Sequence, residues 1–320
     1  MAVYGGRKLQ LAPLMGLPGI PLTKTTVRQN LETAEKQWQS LSRLYEHFSP
    51  DAMFPMMDLS VEAEALGIGL LKPENGSFTV AVHPVTSREA LQQLTLPRPR
   101  KDGRMPVMLE VMRLMSRYLD CLNIAYVIGP FTLAGQLAGA GPVIKGVLKN
   151  REFLLRLLDF SGLVIHSYAE ALVEAGADMI CLLEPTASAL SPEQFRLFSG
   201  THIQGFVAGC AAPVILHICG NTTVLIEEMI ATGCRGLSLD SQVDLPAVSR
   251  LIPPDRYIFG NLDPVRTVAY GSRMQVVAET RTLRRSMAGL DNFVLSTGCD
   301  LPLDTRLENL EGLCSAAREV

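Results

Sequence analysis

Between Thr23 and Phe48 the apolar residues Leu31, Trp38, Leu41, Leu44 and Tyr45 recur mostly at three- and four-residue spacing. That period predicts an amphipathic helix, with Thr25 or Thr26 suited to cap it. Ser49-Pro50-Asp51 is a turn, and the short apolar run Met53 to Leu59, with Asp58 near its end, reads as a first strand. Residues 62–67 suggest a short helix stopped by Gly67. Ser77 to Val85 reads as a second strand, and 97–104 as a basic, Pro-containing loop. From Met105 onward apolar runs and helical patterns alternate. Strands are predicted at Ala125–Gly129, Asp178–Glu184, Pro213–Asn221, Arg235–Asp240, Tyr257–Asn261 and Phe293–Thr297, and the last helix runs from Arg306 to Val320.

Eight strands separated mostly by helices imply a parallel sheet. In 320 residues they fit a single α/β domain, a (β/α)8 TIM barrel over 1–320 with 1–50 as an N-terminal helical extension. An open doubly wound sheet is the alternative, but no Gly-x-Gly-x-x-Gly follows an early strand, so a dinucleotide site has no support.

Composition narrows the function. With 48% hydrophobic residues the chain can bury a large core, and a net charge of -3 points away from nucleic acid or an anionic membrane surface. No apolar run reaches the ~18 residues of a membrane span, and the first residues carry no secretory pattern. Seven cysteines, an odd number in a long chain, suit reduced thiols and a cytoplasmic location.

The polar residues gather at the carboxyl ends of the predicted strands: Asp58, Glu184, His217, Cys219, Asp240, Asn261, Asp263 and Cys299. In a barrel that end carries the chemistry. His217 and Cys219 lie two positions apart on one strand, so their side chains project to the same side, as two ligands of a metal such as zinc require. Taken alone, such a pair is more often part of the core. Cys299, at the end of the last strand, is the best third ligand. Glu184 is a candidate fourth ligand, or an acceptor that holds His217. Asn261 and Asp263 fit loop-fixing or substrate contacts, Asp58 fits a substrate contact or the orienting of a loop, Asp240 fits a substrate contact, and Asn221 fits a helix cap or a substrate contact. The remaining cysteines sit in apolar patterns and read as buried small hydrophobes, while Met15 and Met53 to Met57 could line an apolar mouth.

Several segments resemble the uroporphyrinogen decarboxylase superfamily: Asp58 through Ala65-Leu66-Gly67, Gly129-Pro130-Phe131-Thr132-Leu133, Leu190 to Phe195, Phe259-Gly260-Asn261-Leu262-Asp263-Pro264, and Gly298 with Asp304-Thr305 and Glu308-Asn309. The resemblance covers nearly the whole chain and implies one (β/α)8 barrel. The decarboxylase itself fits poorly. Leu14 to Gly19 stands where it has an arginine-rich segment, Gln136 where a tyrosine is expected, and Gly298-Cys299-Asp300 where it has Gly-His-Gly. His217-x-Cys219 with Cys299 is instead similar to the zinc signature of the methylcobamide:thiol methyltransferase branch. That branch implies zinc, a methylcobamide carried by a corrinoid protein as methyl donor, and a thiol such as coenzyme M as acceptor. No Asp-x-His-x-x-Gly cobamide motif is present, so the corrinoid belongs to a partner or is free. The reverse half-reaction, methyl from an ether or amine donor to a corrinoid protein, is the alternative; a decarboxylase is a further one, and a non-enzymatic binding role the weakest.

Overall fold

The computed structural model of the chain describes residues 2–319. The apolar runs become strands because each is covered on both faces, by the barrel interior on one side and helices on the other. Seven of them form one parallel sheet: β1 (Ala52–Met53), β2 (Leu122–Ile128), β3 (Met179–Leu183), β4 (Val214–Ile218), β5 (Gly236–Leu239), β6 (Tyr257–Leu262) and β7 (Phe293–Thr297). Neighbours in sequence are neighbours in the sheet. Leu9, Phe54, Ile124, Cys181, Ile215, Phe259 and Val294 fill the interior, and a larger apolar layer lies between strands and helices.

The eighth stave differs from the expectation. Of Ser77 to Val85, only Thr79–Val80 is extended, and it pairs antiparallel with Leu70–Leu71 in a hairpin outside the sheet. The ring is closed by residues 9–14 instead. Leu11 bridges Leu295 of β7 in parallel, with Leu295 N–H donating to the Gln10 carbonyl at 2.8 Å and Ala12 N–H to the Leu295 carbonyl at 2.9 Å. On the other side Asp51 N–H donates to the Leu11 carbonyl at 2.9 Å, and the Asp51 carboxylate accepts the N–H groups of Gln10 and Leu11 at 2.7 and 2.9 Å. Part of the segment expected as an extension is thus a wall of the barrel, a (β/α)8 or TIM-type fold. Below it, Val3–Tyr4 and Arg7–Lys8 form a small hairpin tied to the barrel floor by Tyr257 Oη donating to the Val3 carbonyl at 2.6 Å.

The first strand is also shorter than expected. After Met53 the chain leaves the ladder at Pro55, which has no N–H to donate. The helical stretch before Ala175 is three helices, Pro130–Ala138, Ala140–Lys149 and Arg151–Glu174. The last helix is Leu307–Arg318; the predicted end at Val320 lies outside the described residues. No helix among the described residues is long and apolar enough to cross a membrane.

Candidate metal centre and the cleft beside it

His217 is the fourth residue of β4, and Cys219 follows the strand's last residue. Gly220 then turns the chain with φ +87, a conformation glycine adopts without the steric cost of a side chain, and its N–H donates to Asp240 Oδ2 at 2.9 Å. Cys299 enters from the loop after β7. The three residues offer one ligand atom each, all within 4.8 Å of one another. His217 Nε2 is 3.2 Å from Cys219 Sγ, and the two sulfurs are 3.6 Å apart. Tetrahedral zinc with bonds of about 2.3 Å to sulfur and 2.0 Å to nitrogen would separate two sulfurs by roughly 3.8 Å and nitrogen from sulfur by roughly 3.5 Å. Both separations lie within about 0.3 Å of those values, so the donor set fits such an ion.

The imidazole is held in one orientation. His217 is buried, and Ser238 Oγ on β5, directly across the ladder, lies 2.9 Å from its Nδ1. With Nδ1–H donating to Ser238, Nε2 keeps its lone pair toward the sulfurs. The contact with Cys299 holds the Cys219 thiol below its ordinary pKa, against the opposing effect of burial. The same contact, together with burial, pushes Cys299 up.

Glu184 stands apart from the three ligands, a correction to its place as fourth ligand or as partner of His217. Its Oε1 accepts Phe131 N–H and Ser199 Oγ–H, each at 2.8 Å, and its Oε2 accepts Thr132 N–H at 2.8 Å. It is fully buried, and burial raises its pKa while these donors pull it back. The carboxylate caps the helix Pro130–Ala138, and Gly129 has to be glycine because a Cβ there would collide with it.

The other polar residues at strand ends mostly shape their own loops. Asp240 accepts Gln242 N–H at 2.9 Å as well as Gly220 N–H. Asn261 Nδ2 donates to the carbonyls of Asp240 and Val243 at 2.9 and 2.8 Å. Asp263 accepts the N–H groups of Val265 and Arg266 at 3.0 and 2.8 Å, and Asn221 accepts Thr223 N–H at 3.2 Å. Asp58 accepts Ser60 N–H at 2.8 Å and forms a buried ion pair with Arg104 at 2.5 Å.

Asp58 is also on the wall of a cleft of about 670 Å³ beside the mouth. Its apolar side includes Leu17, Leu31, Leu59, Phe78 and Leu303, and its polar side Thr132, Gln136, Thr186 and Asp300. Asp300, the residue after Cys299, is on the wall of this cleft. Burial, and then the neighbouring Cys299, push its carboxyl well above the usual range. Residues 75–80, which overlap the stretch Ser77 to Val85 expected as a stave, roof this cleft. Two further polar groups escaped the sequence reading. Tyr126 on β2 stacks on Phe54 at 5.3 Å inside the barrel, and its hydroxyl has no hydrogen-bond partner among the described residues. Ser238 is the one hydroxyl in the run Gly236–Leu239, a signal that acquires meaning only once the strand register is known.

The model of the family described as uroporphyrinogen decarboxylase (URO-D) matches residues 20–320. A methylcobamide:CoM methyltransferase of Methanosarcina barkeri (strain Fusaro) is 31% identical over 269 residues, covering 82% of this chain and 77% of that protein. A second methylcobamide:CoM methyltransferase, from Methanosarcina acetivorans, is 27% identical over 340 residues, covering 98% and 96%. Among solved structures, a methyltransferase from Methanosarcina mazei superposes with a TM-score of 0.89 at 25% identity, covering 97% of this chain and 93% of that one.

Proposed function

The chain belongs to the uroporphyrinogen decarboxylase family, on its methyltransferase branch, and from that footing we propose that it is a zinc-dependent enzyme moving a methyl group from a methylated corrinoid to a thiol. The observation that carries this reading is the convergence of His217, Cys219 and Cys299 at the carboxyl end of the barrel. When bound, zinc would take the place of the proton on an incoming thiol, and because one neutral imidazole and two thiolates already cancel its charge, the added sulfur stays electron-rich enough to attack a methyl group. The protein's own residues do the rest. Ser238 fixes the His217 ring, Gly220 and Asp240 set the loop that carries Cys219, and the cleft receives the body of the acceptor. In the transfer a carbon–sulfur bond forms as the cobalt–carbon bond breaks, and cobalt keeps the electron pair, going from cobalt(III) to cobalt(I). The methyl donor is too large for the cleft, so a separate corrinoid protein docks at the mouth. Of the candidate substrate contacts, Asp58 keeps that role because it lines the cleft, while Asn221, Asp240, Asn261 and Asp263 act by shaping the rim. Two partly buried free thiols as ligands suit a reducing, cytoplasmic setting.

Purified protein with zinc, methylcobalamin and a panel of thiols should convert the cobalt(III) spectrum to that of cobalt(I). Turnover only in the other direction, with a methoxylated or methylamine donor methylating cobalt(I), would select the reverse half-reaction. Cys219→Ala and Cys299→Ala should each lose zinc by elemental analysis with unchanged circular dichroism; full zinc in both variants would remove the basis of the proposal.

A further inference from the structure

The cleft at the barrel mouth, about 670 Å³, falls in the range of roughly 300–1,000 Å³ that holds a drug-sized molecule. A small thiol such as the coenzyme M named for the methanogen relatives leaves most of it empty. We propose that this protein's thiol acceptor carries a bulky apolar body, an alkyl or aryl group extending several carbons beyond the sulfur, seated in this cleft. The inference deepens the reading that a thiol joins His217, Cys219 and Cys299, and rests on it.

The cleft belongs to the end of the barrel where chemistry sits. Its walls include residues from the stretches that follow β1 (Asp58 and Leu59), β2 (Thr132 and Gln136), β3 (Thr186) and β7 (Asp300 and Leu303). The loop after β7 also carries Cys299. One loop therefore supplies both a ligand for the metal and part of the cavity wall, and the place for the sulfur and the place for the body share a segment of chain.

Apolar surface is left uncovered there by design of the fold. Leu17, Leu59, Val80 and Leu303 come from four separate segments; each packs on the core, remains only partly buried, and lines this one cavity. Leu31 and Phe78 add to the same wall. Four such side chains meeting in one concave place are the lining that an apolar ligand requires. The polar groups among them are largely committed within the protein. Asp58 already has its counter-ion in Arg104 at 2.5 Å. Gln136 Nε2 donates to the Leu59 carbonyl at 2.5 Å, and its Oε1 is buried. Thr132 Oγ1 accepts Thr186 N–H at 3.3 Å, and His83 Nδ1 lies 2.7 Å from the Gln136 carbonyl. An entering molecule therefore finds mainly apolar contact, and gains by moving its own apolar surface out of water.

The test titrates cobalt(II)-substituted protein with ethanethiol, butanethiol and hexanethiol, whose sulfurs are alike and whose bodies differ only in methylene groups. The thiolate-to-cobalt charge-transfer band reports binding without any methyl transfer. Each methylene moved from water into an apolar cavity strengthens binding about fourfold, so hexanethiol should bind at least about tenfold more tightly than ethanethiol. A smaller gain, or none, overturns the proposal and leaves thiol ligation standing. No band with any of the three overturns thiol ligation itself, and the proposal with it. Leu303→Gln and Leu59→Gln each put a polar amide on the wall and should cut the preference for hexanethiol over ethanethiol severalfold. A preference undiminished in both variants places the chain outside this cleft and overturns the assignment.

Discussion

In the proposed zinc site a single hydroxyl orients the ring of His217. Ser238 Oγ, 2.9 Å from Nδ1, holds the tilt of the ring. Ser238→Ala removes that partner from a buried imidazole, and zinc affinity measured by chelator competition should fall about 10- to 100-fold with the fold intact. An unchanged affinity would show that packing alone orients the ring. At this scale the sequence is informative where chemistry follows the chain's own geometry. His217 and Cys219 share a side because a strand repeats every two residues, and Cys299 stands at the end of another apolar run. Ser238 is illegible by the same logic, since its partnership depends on how β4 and β5 are aligned. For Asn261 and Asp263 the sequence leaves loop-fixing and substrate contacts open. Polar residues at strand ends invite a substrate role, yet these two spend their hydrogen bonds on neighbouring backbone.

Among elements, the helix Pro130–Ala138 depends on a side chain from the end of a different strand. Both Glu184 oxygens cap it, and Ser199 completes the set. Glu184→Ala leaves two N–H groups and a hydroxyl buried without an acceptor and should cost about 2–3 kcal/mol in urea unfolding. Its zinc content should equal that of the unaltered protein, and loss of zinc would return Glu184 to the ligand set. The carboxylate sat at the right end of a strand in the sequence, but nothing local distinguishes a ligand from a cap that acts on a helix 53 residues earlier. The hairpin that roofs the cleft was misread for a related reason. Ser77 to Val85 has the residue types of a strand, and only the pairing of Thr79–Val80 with Leu70–Leu71 reveals that it lies outside the sheet.

For the molecule as a whole, stability and chemistry are separated in space. The apolar interior and the strand–helix layer are continuous without the three ligands, which sit at one open end. Removing zinc with a chelator should therefore abolish methyl transfer while far-ultraviolet circular dichroism and cooperative unfolding persist. Collapse of the fold on chelation would make the ion structural. The eight-fold plan could be read from alternating apolar runs, because strand and helix periods are local properties. The stave that closes it could not, because Leu9 to Leu14 is short, interrupted by Pro13, and strand-like only when β1 and β7 flank it.

That closure has a cost in time. Ala12 accepts a hydrogen bond from Ser296, a residue 284 positions later. At roughly 5–20 residues per second, a ribosome needs some tens of seconds to deliver that partner. Until then the earliest stave waits as an uncovered apolar ribbon beside an unfinished sheet edge, so the window in which this protein is most prone to aggregate is set by its own translation.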